Sequence, residues 1–147
     1  MIRSITQEFD YGCGVACFAF VTNLTYEQAV NVLGREQTVK HGWRPSDLTN
    51  ALNDNGYAYK NHYVKKQNID TNYPNGTIIL IERSKEYIVG HYLVHHEGKW
   101  MDPWINLTQD SILTHAKSGF REELPGKPMY ALMPTSSWNT STNPSQN

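Results

Sequence analysis

A chain of 147 residues with 39% hydrophobic and 12% aromatic content suits one folded domain and is too apolar for a disordered polymer. Thirteen Lys and Arg against fourteen Asp and Glu leave a formal charge of −1, without the basic footprint that nucleic-acid binding requires. The longest apolar run, Val15 to Val21, is far too short to span a membrane, and Met1-Ile2-Arg3-Ser4 does not open a secretory signal. The Asn-x-Ser/Thr matches beginning at Asn23, Asn75, Asn106 and Asn139 therefore read as chance. A cytoplasmic, reducing location is expected, with export by a route needing no signal peptide left open.

Residues 1–11 read as extended or irregular. From Gly12 to Thr22 the text is apolar on nearly every side, which predicts a helix at the centre of the domain. Thr25 predicts the cap of a second helix, Tyr26 to Leu33, with Gln28 as capping-box partner and Gly34 as its stop. A polar loop from Arg35 to Gly42 leads to Trp43. Pro45 opens a third helix ending near Asn55, with Leu48 and Leu52 on one face. Strand signals follow: Tyr57 to Val64, Thr77 to Ile81, and Tyr87 to His95 turning at Glu97-Gly98 into Lys99–Asp102. A short helix is expected from Thr108 or Asp110 through Ala116, and a last strand over Met129–Met133. Helices first and an antiparallel sheet afterwards predict an α+β fold, one domain over 1–133, with a low-complexity polar tail over 134–147.

Cys13 stands at the front of the apolar helix, where the positive end of the helix dipole favours thiolate. Gly12 and Gly14 on either side suggest room for a substrate backbone. Cys17, one turn deeper, reads as a small core residue, and two cysteines four apart in a helix make neither a disulfide framework nor a good bridge. Gly90-His91 lies on a strand, and the hairpin turn at Glu97-Gly98 brings Asp102 back towards His91. Nucleophile, base and orienting carboxylate together suit acyl transfer through a thiolate.

Gln7, Cys13-Gly14-x-Ala16, Gly90-His91-Tyr92-x-Val94 and Asp102-Pro103 resemble the papain-like cysteine peptidases. Among these they resemble the double-glycine leader peptidases that process bacteriocins, and their stand-alone relatives. The likeness runs from Gln7 to about Asp102. It implies a papain-like fold with Cys13 as nucleophile, His91 as general base, Asp102 as orienting residue and Gln7 in the oxyanion hole. Gly42-Trp43 and the Pro45-Ser46-Asp47-Leu48 helix start fit the same pattern. Many relatives carry an acidic residue directly before the cysteine, where this chain has Gly12. The transporter members continue into a membrane domain and an ATPase, which the sequence lacks, so cleavage coupled to export in one polypeptide is not expected. Self-inhibition by a segment ahead of Gln7 is not expected either.

The other candidates weigh less. His91, His95 and His96 with Cys13 and Cys17 match no zinc spacing, and adjacent strand histidines point to opposite faces, so no metal is expected. Gly12-x-Gly14 lacks the third glycine of a dinucleotide fingerprint, and no cofactor is expected. Gly14, Trp43, Gly90 and Trp104 are the substrate-binding candidates, with Trp100 and Trp104 flanking Asp102. Lys60, Lys65 and Lys66 read as a solvated edge. The sequence thus points to a cysteine peptidase acting on a peptide or protein, with no nucleic acid, membrane or defined oligomer implied. Acyl transfer to an amine, side-chain deamidation, or an inactive peptide-binding module of the same fold stay open.

Overall fold

A computed structural model describes residues 2–40, 42–65, 72–108 and 110–135. Lys66 and residues 136–147 of the expected tail lie outside them, while Pro134 and Thr135 are inside, Thr135 N–H donating to Ala58 O at 2.9 Å.

The apolar run forms α1, Cys13–Thr22, with Val15, Ala16, Cys17, Phe18 and Ala19 all fully buried, as a helix without a polar face demands. Asn23 ends it in the left-handed conformation at φ 61°, which Asn tolerates better than most residues. α2, Tyr26–Leu33, starts from the expected capping box: Gln28 N–H donates to Thr25 Oγ1 and Thr25 N–H to Gln28 Oε1. Arg35–Lys40, expected as loop, forms a short helix, α3. Its Arg, Glu, Gln and Lys are good helix formers, but a segment this polar carries no periodic signal. α4, Pro45–Asp54, buries Leu48 and Leu52 completely.

The strands are β1 (Tyr59–Tyr63), β2 (Ile78–Ile81), β3 (His91–His96), β4 (Lys99–Asp102), β5 (Gly119–Arg121) and β6 (Pro128–Pro134). They form one antiparallel sheet in the order β1-β6-β2-β3-β4-β5. Side chains alternate between its faces. Ile78, Tyr92, Val94, Met101 and Leu132 join the α1 core, and α1 packs directly on β3. Ile79, Ile81, Leu93, Trp100 and Ala131 form a second cluster with Val64 and Tyr87. Helices precede the sheet, so the molecule is α+β as its element order predicts.

Strand ends shift by a residue or two, and three differences go further. β3 begins at His91 because Tyr87–Gly90 is a turn: Gly90 N–H donates to Tyr87 O and Gly90 has φ +82°, which favours glycine. The helix expected up to Ala116 is only a 3₁₀ turn, Leu113–His115. There the Asn106 side chain accepts from Lys117 N–H and donates to His115 O, giving the backbone partners other than its own helix. β5 was not foreseen. Among the described residues, no helix is long and apolar enough to cross a membrane.

Candidate active site

Cys13 is the first residue of α1, with Gly12 as N-cap. The first-turn N–H groups of a helix have no partner within it, so partial positive charge gathers beside the thiol. Cys13 is half-buried, whereas Cys17 is fully buried. Burial above all, then the neighbouring Cys13 and Asp102, pushes the Cys17 thiol up, so it stays protonated and inert.

The flanking glycines serve a different purpose from the one their small size suggested. A Cβ on Gly12 would overlap the Tyr26 hydroxyl, and one on Gly14 would sit 3.2 Å from the Tyr92 ring. The space belongs to the protein's own aromatic side chains. At Gly14 it lets α1 settle onto β3, and that approach brings Cys13 to the strand carrying His91. Gly14 is buried and lies outside the cleft lining.

His91 opens β3, and Tyr92 N–H donates to Cys13 Sγ at 3.5 Å. The β3–β4 hairpin pairs Val94 with Met101, and extending that register by one sets Asp102 opposite Leu93. His91 is then the diagonal neighbour of Asp102 on one sheet face. The diagonal closes with a 2.7 Å contact between His91 Nε2 and Asp102 Oδ1, both residues being buried. Asp102 Oδ1 also accepts from Trp104 N–H at 2.9 Å, an Asx turn favoured by the intervening Pro103. With Nε2 committed, Nδ1 is the ring nitrogen left to face the Cys13 sulfur.

Burial pulls the His91 imidazole down, but hydrogen bonds with Asp102 and Cys13 and the negative charge of both outweigh it and hold the ring up at about 9. Burial likewise acts to raise Asp102, yet the His91 contact and charge, Arg121 and the Trp104 N–H keep its carboxyl below the usual range. An imidazolium beside a sulfur and a carboxylate that stays ionised is an arrangement able to stabilise thiolate.

Gln7 is buried next to this centre and lines the cleft. Its Nε2 donates to Phe9 O at 2.9 Å and Asp10 O at 3.2 Å, which occupies both amide hydrogens, while Oε1 has no partner among the described residues. Cys13, His91 and Gln7 face a cleft of about 610 Å³ together with Trp43, Gly90 and Trp104. Trp100 is elsewhere, packed edge-on against Tyr73 and tilted against His95 in the second core cluster.

Two neighbours of the centre escape sequence reasoning. Arg121 on β5 donates from Nε to Asp102 Oδ2 at 2.6 Å and from Nη2 to Ile105 O at 3.0 Å. Tyr87 stacks on the His91 ring, with centroids 4.7 Å apart and planes 22° from parallel. Burial raises the Tyr87 hydroxyl and keeps it protonated. The Tyr87-x₃-His91 spacing was visible, but nothing in it signals stacking. Arg121 had only a three-residue strand to announce it. Among the described residues, no cluster of three or more His, Cys, Asp or Glu side chains is placed to hold a metal.

No protein-family model matches the chain, and no curated protein matches it. Solved structures do. One is a double-glycine motif protease from an AMS/PCAT transporter, in complex with the leader peptide: TM-score 0.52, 18% identity, covering 92% of this chain and 93% of that one. Another is the peptidase domain of Streptococcus ComA, a bi-functional ABC transporter involved in quorum sensing: TM-score 0.54, 16% identity, covering 92% of this chain and 100% of that one. The chain has the papain-like fold of these peptidase domains, with its helices N-terminal and its sheet C-terminal.

Proposed function

We propose that the protein is a cysteine peptidase that cleaves a peptide or amide bond through Cys13, His91 and Asp102. The observation that carries this reading is the 2.7 Å His91–Asp102 contact, which leaves the other imidazole nitrogen for a half-buried cysteine at a helix N-terminus in an open cleft. The peptidase domains that share the fold support it, and the leader peptide bound to one of them supports a peptide as substrate.

Thiolate Cys13 attacks the scissile carbonyl, forming an S–C bond and placing charge on the carbonyl oxygen. The Cys13 N–H and the Gln7 amide receive that oxyanion. Gln7 reaches it by exchanging its longer contact, the 3.2 Å bond to Asp10 O, for the substrate oxygen. His91 gives its Nδ1 proton to the leaving amine as the C–N bond breaks. Water, deprotonated by His91, then attacks the thioester and releases the acid and free Cys13. Asp102 keeps the imidazole in place throughout. Trp43, Gly90 and Trp104 line the bed on which the peptide lies. Free Cys13 and Cys17 suit work in a reducing setting.

Incubation with a defined peptide mixture, read by mass spectrometry beside Cys13→Ala, tests the proposal. New carboxyl termini that vanish in Cys13→Ala support peptidase action. Cys13-dependent joining to an added amine, or conversion of Gln to Glu without cleavage, would instead identify a transferase or a deamidase on the same centre. Peptide capture without any covalent change would identify an inactive binding module.

A further inference from the structure

The Asp102 carboxylate is gripped from two sides, and only one of them is His91. Oδ1 accepts from His91 Nε2 and Trp104 N–H, whereas Oδ2 meets Arg121 Nε at 2.6 Å. The terminal torsion of an Asp side chain is broad, so a carboxylate held through one oxygen swings readily and takes its partner's alignment with it. Arg121 is itself fixed. β5 pairs it with Trp100, making it the next diagonal neighbour after Asp102 on the face that carries His91. Its Nη2 donates to Ile105 O at 3.0 Å and reaches the Tyr87 hydroxyl at 3.4 Å, on the same ring that stacks against His91.

We infer that Arg121 is a positioning residue of the thiol centre, anchoring Asp102 through Oδ2 and steadying Tyr87 so that the His91 imidazole is presented to Cys13. The inference rests on the catalytic reading of Cys13, His91 and Asp102. A cation needed only to neutralise a buried carboxylate could be any cation. Here one guanidinium serves three acceptors on three segments with its planar fork, which the single nitrogen of lysine cannot do. Charge alternates along the line, with thiolate, imidazolium, carboxylate and guanidinium in turn. The guanidinium lies one group farther from His91 than the carboxylate does and would repel an imidazolium directly, so its favourable effect on the ring comes through alignment.

The test compares wild type, Arg121→Met and Arg121→Lys. Lys99→Met serves as control, because its 3.0 Å pair with Glu122 joins β4 to the residue following β5 without touching the site. Three quantities are read: the rate of Cys13 alkylation by iodoacetamide at pH 6, the His91 ring N–H signals by proton NMR, and the melting temperature. Misplacement of a catalytic group by about 1 Å costs roughly 10²-fold. Arg121→Met is therefore expected to slow alkylation by about 10- to 100-fold and to broaden or lose the His91–Asp102 proton signal. Arg121→Lys is expected to fall between, and Lys99→Met to match wild type. With a cleaved peptide in hand, kcat should drop in Arg121→Met while KM holds.

A folded Arg121→Met with the wild-type alkylation rate and ring signal, even at a lower melting temperature, would identify a merely structural ion pair and overturn the inference. Should Arg121→Met not fold, Arg121→Gln, which keeps an N–H donor for Oδ2 without the charge, is read by the same criteria. A wild-type Cys13 no faster at pH 6 than a free thiol would instead overturn the catalytic centre itself, and the inference with it.

Discussion

Cys13 and His91 come to their meeting point from regions of opposite construction. Cys13 heads a helix that is apolar all round, and its position follows from packing: α1 sinks into the core until Gly14 meets the Tyr92 ring. His91 and Asp102 are polar groups inside a sheet, and their positions follow from hydrogen bonds: 2.7 Å to each other, 2.9 Å from Trp104 N–H and 2.6 Å from Arg121. The helix side offers a half-buried sulfur and, in Gln7, a buried amide whose Oε1 has no partner among the described residues. On the sheet side the carboxylate is fully buried and has a partner on each oxygen. Reactivity belongs where a group is accessible, and alignment where every atom is held. Under the proposed function, a site divided this way receives a substrate without loosening its base.

Substitutions can break each side separately. The largest effect is expected from Cys13→Ala, which removes the proposed nucleophile and should bring turnover to background while circular dichroism stays native. On the sheet side, Asp102→Asn favours the wrong imidazole tautomer, and kcat should fall by about 10⁴-fold, the loss seen for the equivalent change in a serine triad. Gln7→Ala, which removes the proposed oxyanion donor, should lower kcat by about 10²–10³-fold in steady-state assays. Turnover in Gln7→Ala equal to wild type would leave the Cys13 N–H and its helix to hold the oxyanion alone. Cys17→Ala is the smallest: truncation of a buried side chain costs on the order of 1 kcal/mol, a few degrees in melting temperature, with kcat intact. Loss of activity in Cys17→Ala would exchange the roles of the two thiols.

The sheet side also carries a pH signature. His91 is held at about 9, above its ordinary 6.5, so its contribution to stability is complete below about pH 6.5 and is lost as pH rises through 9. Asp102 is held below its ordinary value, so its contribution is present above about pH 4 and disappears as pH falls through the depressed value. Melting temperature should be highest between these limits, and Asp102→Asn should flatten the acid fall. In the proposed mechanism the imidazolium protonates the leaving amine, so the alkaline limb of kcat should lie near pH 9.

The same division marks what could be read without a structure. α1 was legible because a helix with no polar side has one place to go. The pairing of His91 with Asp102 was legible because the tight turn at Glu97 and Gly98, both at positive φ, fixes the register of the hairpin that joins them. Arg121 was hidden because three residues of β5 carry no measurable period, and its partner Asp102 is 19 positions away. The work of Gly12 and Gly14 was hidden for a related reason. The rings that need their space, Tyr26 and Tyr92, are named only by the fold, and a glycine beside a cysteine invites a substrate reading first. α3 failed for want of contrast, since a short helix polar at all but Val39 and a polar loop look alike in a single sequence.

The proposed function stands on Cys13 being the reactive thiol, paired with the His91 imidazole. The most direct test is the rate of iodoacetamide alkylation across pH 4 to 9, with intact mass for stoichiometry and peptide mapping for site. Fast, single-site labelling of Cys13 that persists well below about pH 8.5, where a free thiol loses its reactivity, is the expected result. Labelling that falls away like an ordinary thiol, or that prefers Cys17, would contradict it.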